Sequence, residues 1–270
     1  MSQSSASLWV AAWSLAQREV VRFLRQRSRV MGAIGQPIVF WVLFGAGLSG
    51  NFQFGGESGV GYQEYFLPGV AVMVVLFTSI FSAISVIQDR NEGFLQGVLV
   101  APVSRTAIVI GKILGGTLLA MFEAVIFVGL AIIMQMVGLA PAMDLGLTPL
   151  TTIGAIAFLV LISLGMTGLG YLFAWRIDSV QGYHGVMSIV LLPMWLLSGA
   201  IFPASDSVWM QWLMAVNPLT YGVAGLRHML SSPSVDLSQL PSLPLCWIVS
   251  LAFCAVCVAI GVWQTRTSRG

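Results

Sequence analysis

From Thr106 to Val137 the chain carries only two charged side chains, Lys112 and Glu123. A run of that length and greasiness has few folds open to it. A helix that is apolar on all sides needs either lipid or a very large protein core, and about 20 such residues cross about 30 Å of hydrocarbon. Similar runs recur along the chain, so the pattern predicts six membrane-spanning helices, at roughly 33–50, 67–88, 106–137, 150–174, 183–202 and 243–263. Composition agrees. The 270 residues are 57% hydrophobic and 8% charged, with a mean hydropathy of +0.91, whereas soluble domains hold about 25% charged residues. A soluble enzyme or a nucleic-acid-binding protein is excluded, and the expectation is an all-α integral membrane protein in one domain, residues 1–270. Pro37 and Pro193 are expected to kink the first and fifth spans, where neighbouring helices can cover the freed backbone.

The sparse charges give direction. With six spans both termini share a side. That side collects Arg18, Arg22, Arg25, Arg27 and Arg29, then Arg90, Arg105, Lys112 and Arg176, then Arg266 and Arg269. Arg227 alone falls on the other, whose loops carry Glu57, Glu64, Asp144, Asp206 and Asp236. The positive-inside rule predicts that both termini are cytoplasmic. The first apolar run follows a long arginine-rich segment, unlike a signal peptide with its short basic start. Cys246, Cys254 and Cys257 all fall in the last span, where a thiol reads as a small apolar packing group.

Three short segments stand apart from the spans. Residues 8–29 are expected to form an amphipathic interfacial helix, with Trp9, Ala12, Trp13, Ala16, Val20 and Phe23 on one face and Arg18, Arg22, Arg25 and Arg29 on the opposite one. Plain anchoring to membrane lipid and docking of a partner both fit it. Between the second and third spans, "SVIQDRNEGFLQGVLVAPVSR" gathers Asp89, Arg90 and Glu92 with the apolar Phe94, Leu95, Val98 and Leu99. After the fifth span, two apolar pieces at about 207–216 and 219–230 are too short to cross, with Asn217-Pro218 breaking the chain between them. Ser205 or Asp206 could cap the first piece. This reads as a re-entrant helical hairpin on the outer side, its turn shielded by protein or a cavity.

The order of these features resembles the membrane subunit of type-2 ATP-binding-cassette exporters, a family that includes bacterial permeases for drugs, lipo-oligosaccharides and polysaccharides. Pro218, Leu219, Tyr221 and Arg227 stand at the spacing of its signature. Glu92, Gly93, Pro102, Ser104 and Arg105 match its charged-Glu-Gly…Pro-x-Ser-Arg segment, with Phe94 a slight departure after the glycine. The resemblance implies that the loop holding Asp89, Arg90, Glu92, Gly93, Phe94, Leu95, Pro102 and Arg105 is a coupling helix docked on a cytoplasmic ATPase. It implies a permease dimer, expected to be a homodimer, with two ATPase copies in the bacterial cytoplasmic membrane. The hairpin from Pro203 to Arg227 would open the path outward. The cargo would be hydrophobic or amphipathic: a drug, a lipid or a lipid-linked glycan.

ATP hydrolysis within this chain is not expected. A phosphate-cradling loop needs G-x-x-x-x-G-K-[ST], and Lys112, the only lysine, lacks the upstream glycine and is followed by Ile113. No cofactor is expected on this chain; ATP and magnesium would belong to the partner subunit, and the chain would be a non-catalytic transport subunit. Glu123 lies deep in the third span, where an ionisable group must face the bundle or a wet cavity. A pathway role and an interhelical hydrogen bond both fit it. A rival reading, ion-coupled secondary transport, would rest on Glu123. Gly111 and Gly115 form a G-x-x-x-G suited to close helix packing.

Overall fold

The computed structural model describes residues 5–48, 61–101, 103–141, 143–201, 207–232 and 235–267. The described residues are helical throughout apart from turns and one isolated bridge between Leu145 and Ser231. Helices follow from the absence of water: a backbone buried in apolar surroundings must satisfy its own N–H and C=O groups within the segment.

The chain begins with α1 (Ser5–Leu24) and, after a break at Arg25 and Gln26, α2 (Arg27–Leu48), which contains Pro37. The interfacial helix thus ends before Arg29, which belongs to the first turns of α2; its side chain is outside the described residues, as are Pro102 and Pro203. Then comes α3 (Tyr62–Ser82), continued by α4 (Ile84–Asn91) after a single turn at Ala83. Gly93 adopts φ +78°, a left-handed conformation open to glycine, and there the chain turns from α4 into the short α5 (Phe94–Val100). Ser104 caps the long α6 (Arg105–Met136) by accepting a bond from the Ala107 amide. Thr148 and Thr151 form a capping box at the start of α7 (Pro149–Ala174). α8 (Val180–Leu196), α9 (Val208–Val216), α10 (Pro218–Leu230) and α11 (Leu243–Thr267) complete the order.

α3 is buried on nearly every side and forms the centre of the bundle, packed by α2, α6 and α7. α11 lies against α7 and leaves a wide apolar face outward, including Ile248, Leu251 and Trp263. Among the described residues, four helical stretches are long and apolar enough to cross a membrane: Tyr62–Asn91, Arg105–Met136, Pro149–Ala174 and Leu243–Thr267. The expected first span falls on α2, whose apolar part is the shorter Ile34–Gly45. The expected fifth falls on α8, which stops at Leu196.

Contacts between helix ends define two poles. At one, Arg105 at the start of α6 donates to the carbonyls of Thr265 and Arg266 at the end of α11, both at 3.1 Å. At the other, the Tyr65 hydroxyl donates to Gly199 O at 3.0 Å and Gly146 N to Leu230 O at 3.0 Å. The first pole also gathers α1, α4 and α5, and it holds most of the described basic residues.

Candidate functional site

The site is built where α1 meets the α4–α5 turn. α1 buries Ala12, Ala16, Glu19 and Phe23, and packs mainly along α6. The glycines of α6 make room for it. A Cβ at Gly111 would stand 2.8 Å from the Ala12 carbonyl oxygen, and one at Gly115 would stand 2.8 Å from the Glu19 Cβ. The G-x-x-x-G therefore seats α1 itself. Trp9 and Trp13, which share the expected apolar face, are exposed on the protein surface. The buried stripe runs through the small residues because only these permit backbone contact.

Six charged groups close this seam. The Lys112 ammonium, nearly fully buried, donates to Glu19 Oε1 at 2.6 Å, to Ser85 Oγ at 3.1 Å and to Asp89. The Asp89 carboxylate is completely buried and also takes two bonds from Arg18, at 2.8 and 2.9 Å, and one from Arg22 at 3.0 Å. Arg22 reaches on to the half-exposed Glu92 at 3.1 Å. Three cations and three carboxylates are thus interleaved, so the formal charges cancel. The bond to Asp89 raises the pKa of the Arg18 guanidinium above its usual value, against the lowering effect of burial. Arg18 also lies 3.7 Å over the Phe94 ring, which ties α1 directly to α5.

Arg90 turns the other way. Its guanidinium donates to the carbonyls of Ala174 at 3.0 Å and Trp175 at 2.9 Å, and to Asp178 at 2.8 Å. Those carbonyls are among the acceptors left open at the end of α7, so Arg90 caps that helix. Arg105 does the same for α11. Between them, the charges of one short connector fasten the ends of α1, α6, α7 and α11.

What this leaves at the surface is mostly apolar. Leu95 is buried beneath α5, while Gln96, Gly97 and Val100, 86% exposed, face outward. A groove of about 460 Å³ runs between α5 and α1, lined by Leu15, Phe94 and Val98 among others. Arg25 is exposed at the end of α1.

At the opposite pole, Asn217 caps α10 by accepting from the Leu219 amide at 3.0 Å and anchors it by donating to Met194 O at 2.6 Å. Ser207 takes the cap position of α9, and Ser205 and Asp206 lie outside the described residues. Pro218 occupies the first turn of α10, Leu219 is buried, and the Tyr221 hydroxyl donates back to Ala215 O at 2.9 Å. Arg227 is buried, donating to the carbonyls of Tyr65 and Gly199, each at 3.2 Å, with its guanidinium 3.8 Å over the Tyr65 ring. Arg227 thus ties α10 to α3 and to the chain after α8, Asn217 ties it to α8, and Tyr221 ties it to α9. Glu123 is buried between α6 and α3 and accepts a bond from the Thr78 hydroxyl.

Sequence reasoning missed two members of the site. Glu19 falls on neither face of the α1 wheel, and Lys112 counts there only as a positive charge on one side and a failed phosphate loop. The signal was available: each is a charge set among apolar neighbours, and such charges need a partner.

Comparisons with known proteins agree with this architecture. A family model described as ABC-2 type transporter matches residues 10–230. The chain is 27% identical to the putative transport permease ycf38 of Porphyra purpurea, over 84% of this chain and 76% of that protein. It is 27% identical to the probable doxorubicin resistance ABC transporter permease protein DrrC of Mycobacterium tuberculosis, over 98% and 93%. With the daunorubicin resistance ABC transporter permease protein DrrB1 of Streptomyces coeruleorubidus it shares 21% identity, over 93% and 82%. The chain belongs to the ABC-2 type transporter family, as a membrane permease subunit.

Proposed function

We propose that this chain is the permease half of an ATP-driven exporter that moves a hydrophobic or amphipathic compound out across the cytoplasmic membrane. In this reading α2, the α3–α4 pair, α6, α7, α8 and α11 make six crossings, with both termini and α5 on the cytoplasmic side. The crowding of arginines at that pole supports the orientation. The α9–α10 hairpin then lies at the outer face. Two permease copies pair with two copies of a cytoplasmic ATPase, whose ATP and magnesium supply the work.

The observation that carries the proposal is the charge cluster joining α1, the α4–α5 turn and α6. A lever must be stiff where force enters and open where the partner pushes. The exposed face of α5 offers Phe94 and Val100 as apolar anchors, and Glu92 gives orientation at the rim. A push on α5 reaches α1 and α6 through Asp89, and α7 through Arg90. The drug-resistance relatives favour an amphipathic cargo.

The test is photocrosslinking from the benzophenone amino acid placed at Gln96 or Val100 in native membranes. An ATP-binding protein should be captured, and Glu123, remote from that surface, should capture none when substituted in the same way. Failure to crosslink any nucleotide-binding protein from α5 overturns the reading.

A further inference from the structure

In the folded protein α1 carries three sectors where its sequence wheel shows two. Ala12, Ala16 and Glu19 are buried against α6. Beside them Trp9, Val10, Trp13, Val21 and Leu24 are 47–67% exposed, and they cover about 120° of the helix surface at about 100° per residue. Gln17 is the one exposed polar side chain among them. Past that sector the surface turns cationic, and a groove of about 430 Å³ opens, lined by Arg18, Arg22 and Arg25 with Val21, Gln26 and Glu92. Arg18 and Arg22 belong to the balanced charge cluster, yet their side chains stay 32% and 25% exposed. Arg25 stands outside that balance: it is exposed, and among the described residues its side chain forms no ion pair or hydrogen bond.

We propose that this groove binds the phosphate of an anionic phospholipid, with Arg25 as the surplus cation and the acyl chains laid along the apolar sector. The charge left over once the cluster is balanced is positive, and a planar guanidinium matches the oxygens of a phosphate in two-pronged fashion. Gln26 adds an amide donor in the same wall. A zwitterionic lipid offers the same phosphate but brings its own cation, which the arginines repel. The neighbouring apolar sector separates a lipid from a soluble phosphate, which would leave it uncovered. Position points the same way. The break at Arg25 and Gln26 leads into α2, whose apolar part begins at Ile34, and headgroups lie where a span starts, with tryptophan and arginine as their usual neighbours. That the lipid belongs to the cytoplasmic leaflet rests on the orientation proposed above; that it binds does not.

The experiment uses the full chain, delipidated in a nonionic detergent without ATPase or nucleotide, and counts retained lipids by native mass spectrometry. The probes are dioleoyl phosphatidylglycerol and dioleoyl phosphatidylcholine, which share acyl chains and differ in headgroup charge. The phosphatidylglycerol should bind about fivefold or more tighter, the attraction of roughly one arginine. Arg25→Gln should remove most of that preference and leave phosphatidylcholine binding unchanged. Arg176→Gln, at an exposed arginine of the α7–α8 turn outside the groove, should keep the preference. Trp13→Gln should weaken both lipids. All three side chains are exposed, so these variants keep the fold. Glycerophosphoglycerol, the same headgroup without chains, and inorganic phosphate should not displace the bound lipid. Equal binding of the two lipids overturns the proposal and leaves the arginines to an acidic protein partner. An equal loss of preference in Arg25→Gln and Arg176→Gln overturns it in favour of diffuse charge. Displacement by either chainless phosphate, or unchanged binding in Trp13→Gln, overturns it in favour of a soluble ligand. Because no ATPase is present, lipid selectivity with no α5 crosslink would sink the export reading and leave the groove standing; the reverse pair would do the opposite.

Discussion

Replacing Lys112 by methionine should unseat α1. The ammonium is nearly fully buried and serves two carboxylates. Asp89 keeps Arg18 and Arg22 after the change, at 2.8 and 3.0 Å, so the burden falls on Glu19, which retains only Arg18 at 3.4 Å. Removing one partner of a buried pair costs about 3–5 kcal/mol. The residual Arg18 contact puts this case near the lower bound, about 3 kcal/mol, or roughly a hundredfold in the opening of α1. Amide exchange followed by mass spectrometry in nanodiscs reads that opening directly. Peptides covering residues 12–23 should exchange roughly a hundredfold faster, while those from the middle of α7 stay unchanged. A second substitution sharpens the test. Glu19→Gln on top of Lys112→Met leaves Arg18 and Arg22 against Asp89 and Glu92, again in balance. The double variant should therefore regain most of the protection. If Lys112→Met exchanges within about threefold of the parent, or the double variant is no better than the single, the cluster does not hold α1 and the lever argument fails.

Other outcomes follow from single contacts. Gly111→Val should separate α1 from α6, because its Cβ alone would meet the Ala12 carbonyl at 2.8 Å; overpacking of this kind costs about 1–3 kcal/mol and would appear in the same exchange measurement at α1. Arg90→Lys should not rescue Arg90→Ala, since a single ammonium cannot reproduce a planar fork that bonds two carbonyls and Asp178; exchange at residues 174–178 reports it. Arg227→Met should lower the thermal unfolding midpoint by roughly 4 °C or more, from the loss of charged hydrogen bonds worth about 1.5–3 kcal/mol each. Light-scattering or fluorescence melts in detergent would detect this.

Much of the fold was legible because lipid imposes a coarse code: length and greasiness mark α6, α7, α11 and the α3–α4 pair, and arginines mark one pole. A helix boundary was legible where chemistry punctuates it, at Asn217-Pro218; Gly93 and Ser104, read only as parts of a family-like segment, turned out to mark the starts of α5 and α6. The faces of α1 were not. A wheel drawn on hydrophobicity groups Trp9 and Trp13 with Ala12 and Ala16, but where helix meets helix the deciding quantity is how closely two backbones approach. That selects Ala12 and Ala16 opposite Gly111 and Gly115, and turns Trp9 and Trp13 outward. The role of the connector's charges was hidden for a related reason. Asp89, Arg90 and Arg105 look like surface charge in one dimension, yet their partners lie 71, 84 and 160 residues away. Periodicity carries no information across such separations.

The pairing of small residues with buried ions is what would let the seam transmit motion in the proposed coupling role. Close packing along Ala12, Ala16, Gly111 and Gly115 supplies attraction, but small residues alone tolerate sliding. Buried ion pairs add little net stability, yet they penalise every register except their own. Moving α1 along α6 by one turn, about 5.4 Å, would carry Glu19 away from Lys112 and pull Arg18 off Asp89. Several kcal/mol of uncompensated charge would oppose it. α1 and α6 therefore shift together or not at all, and under the proposed coupling role a displacement imposed at α5 would arrive at the bundle without being absorbed on the way.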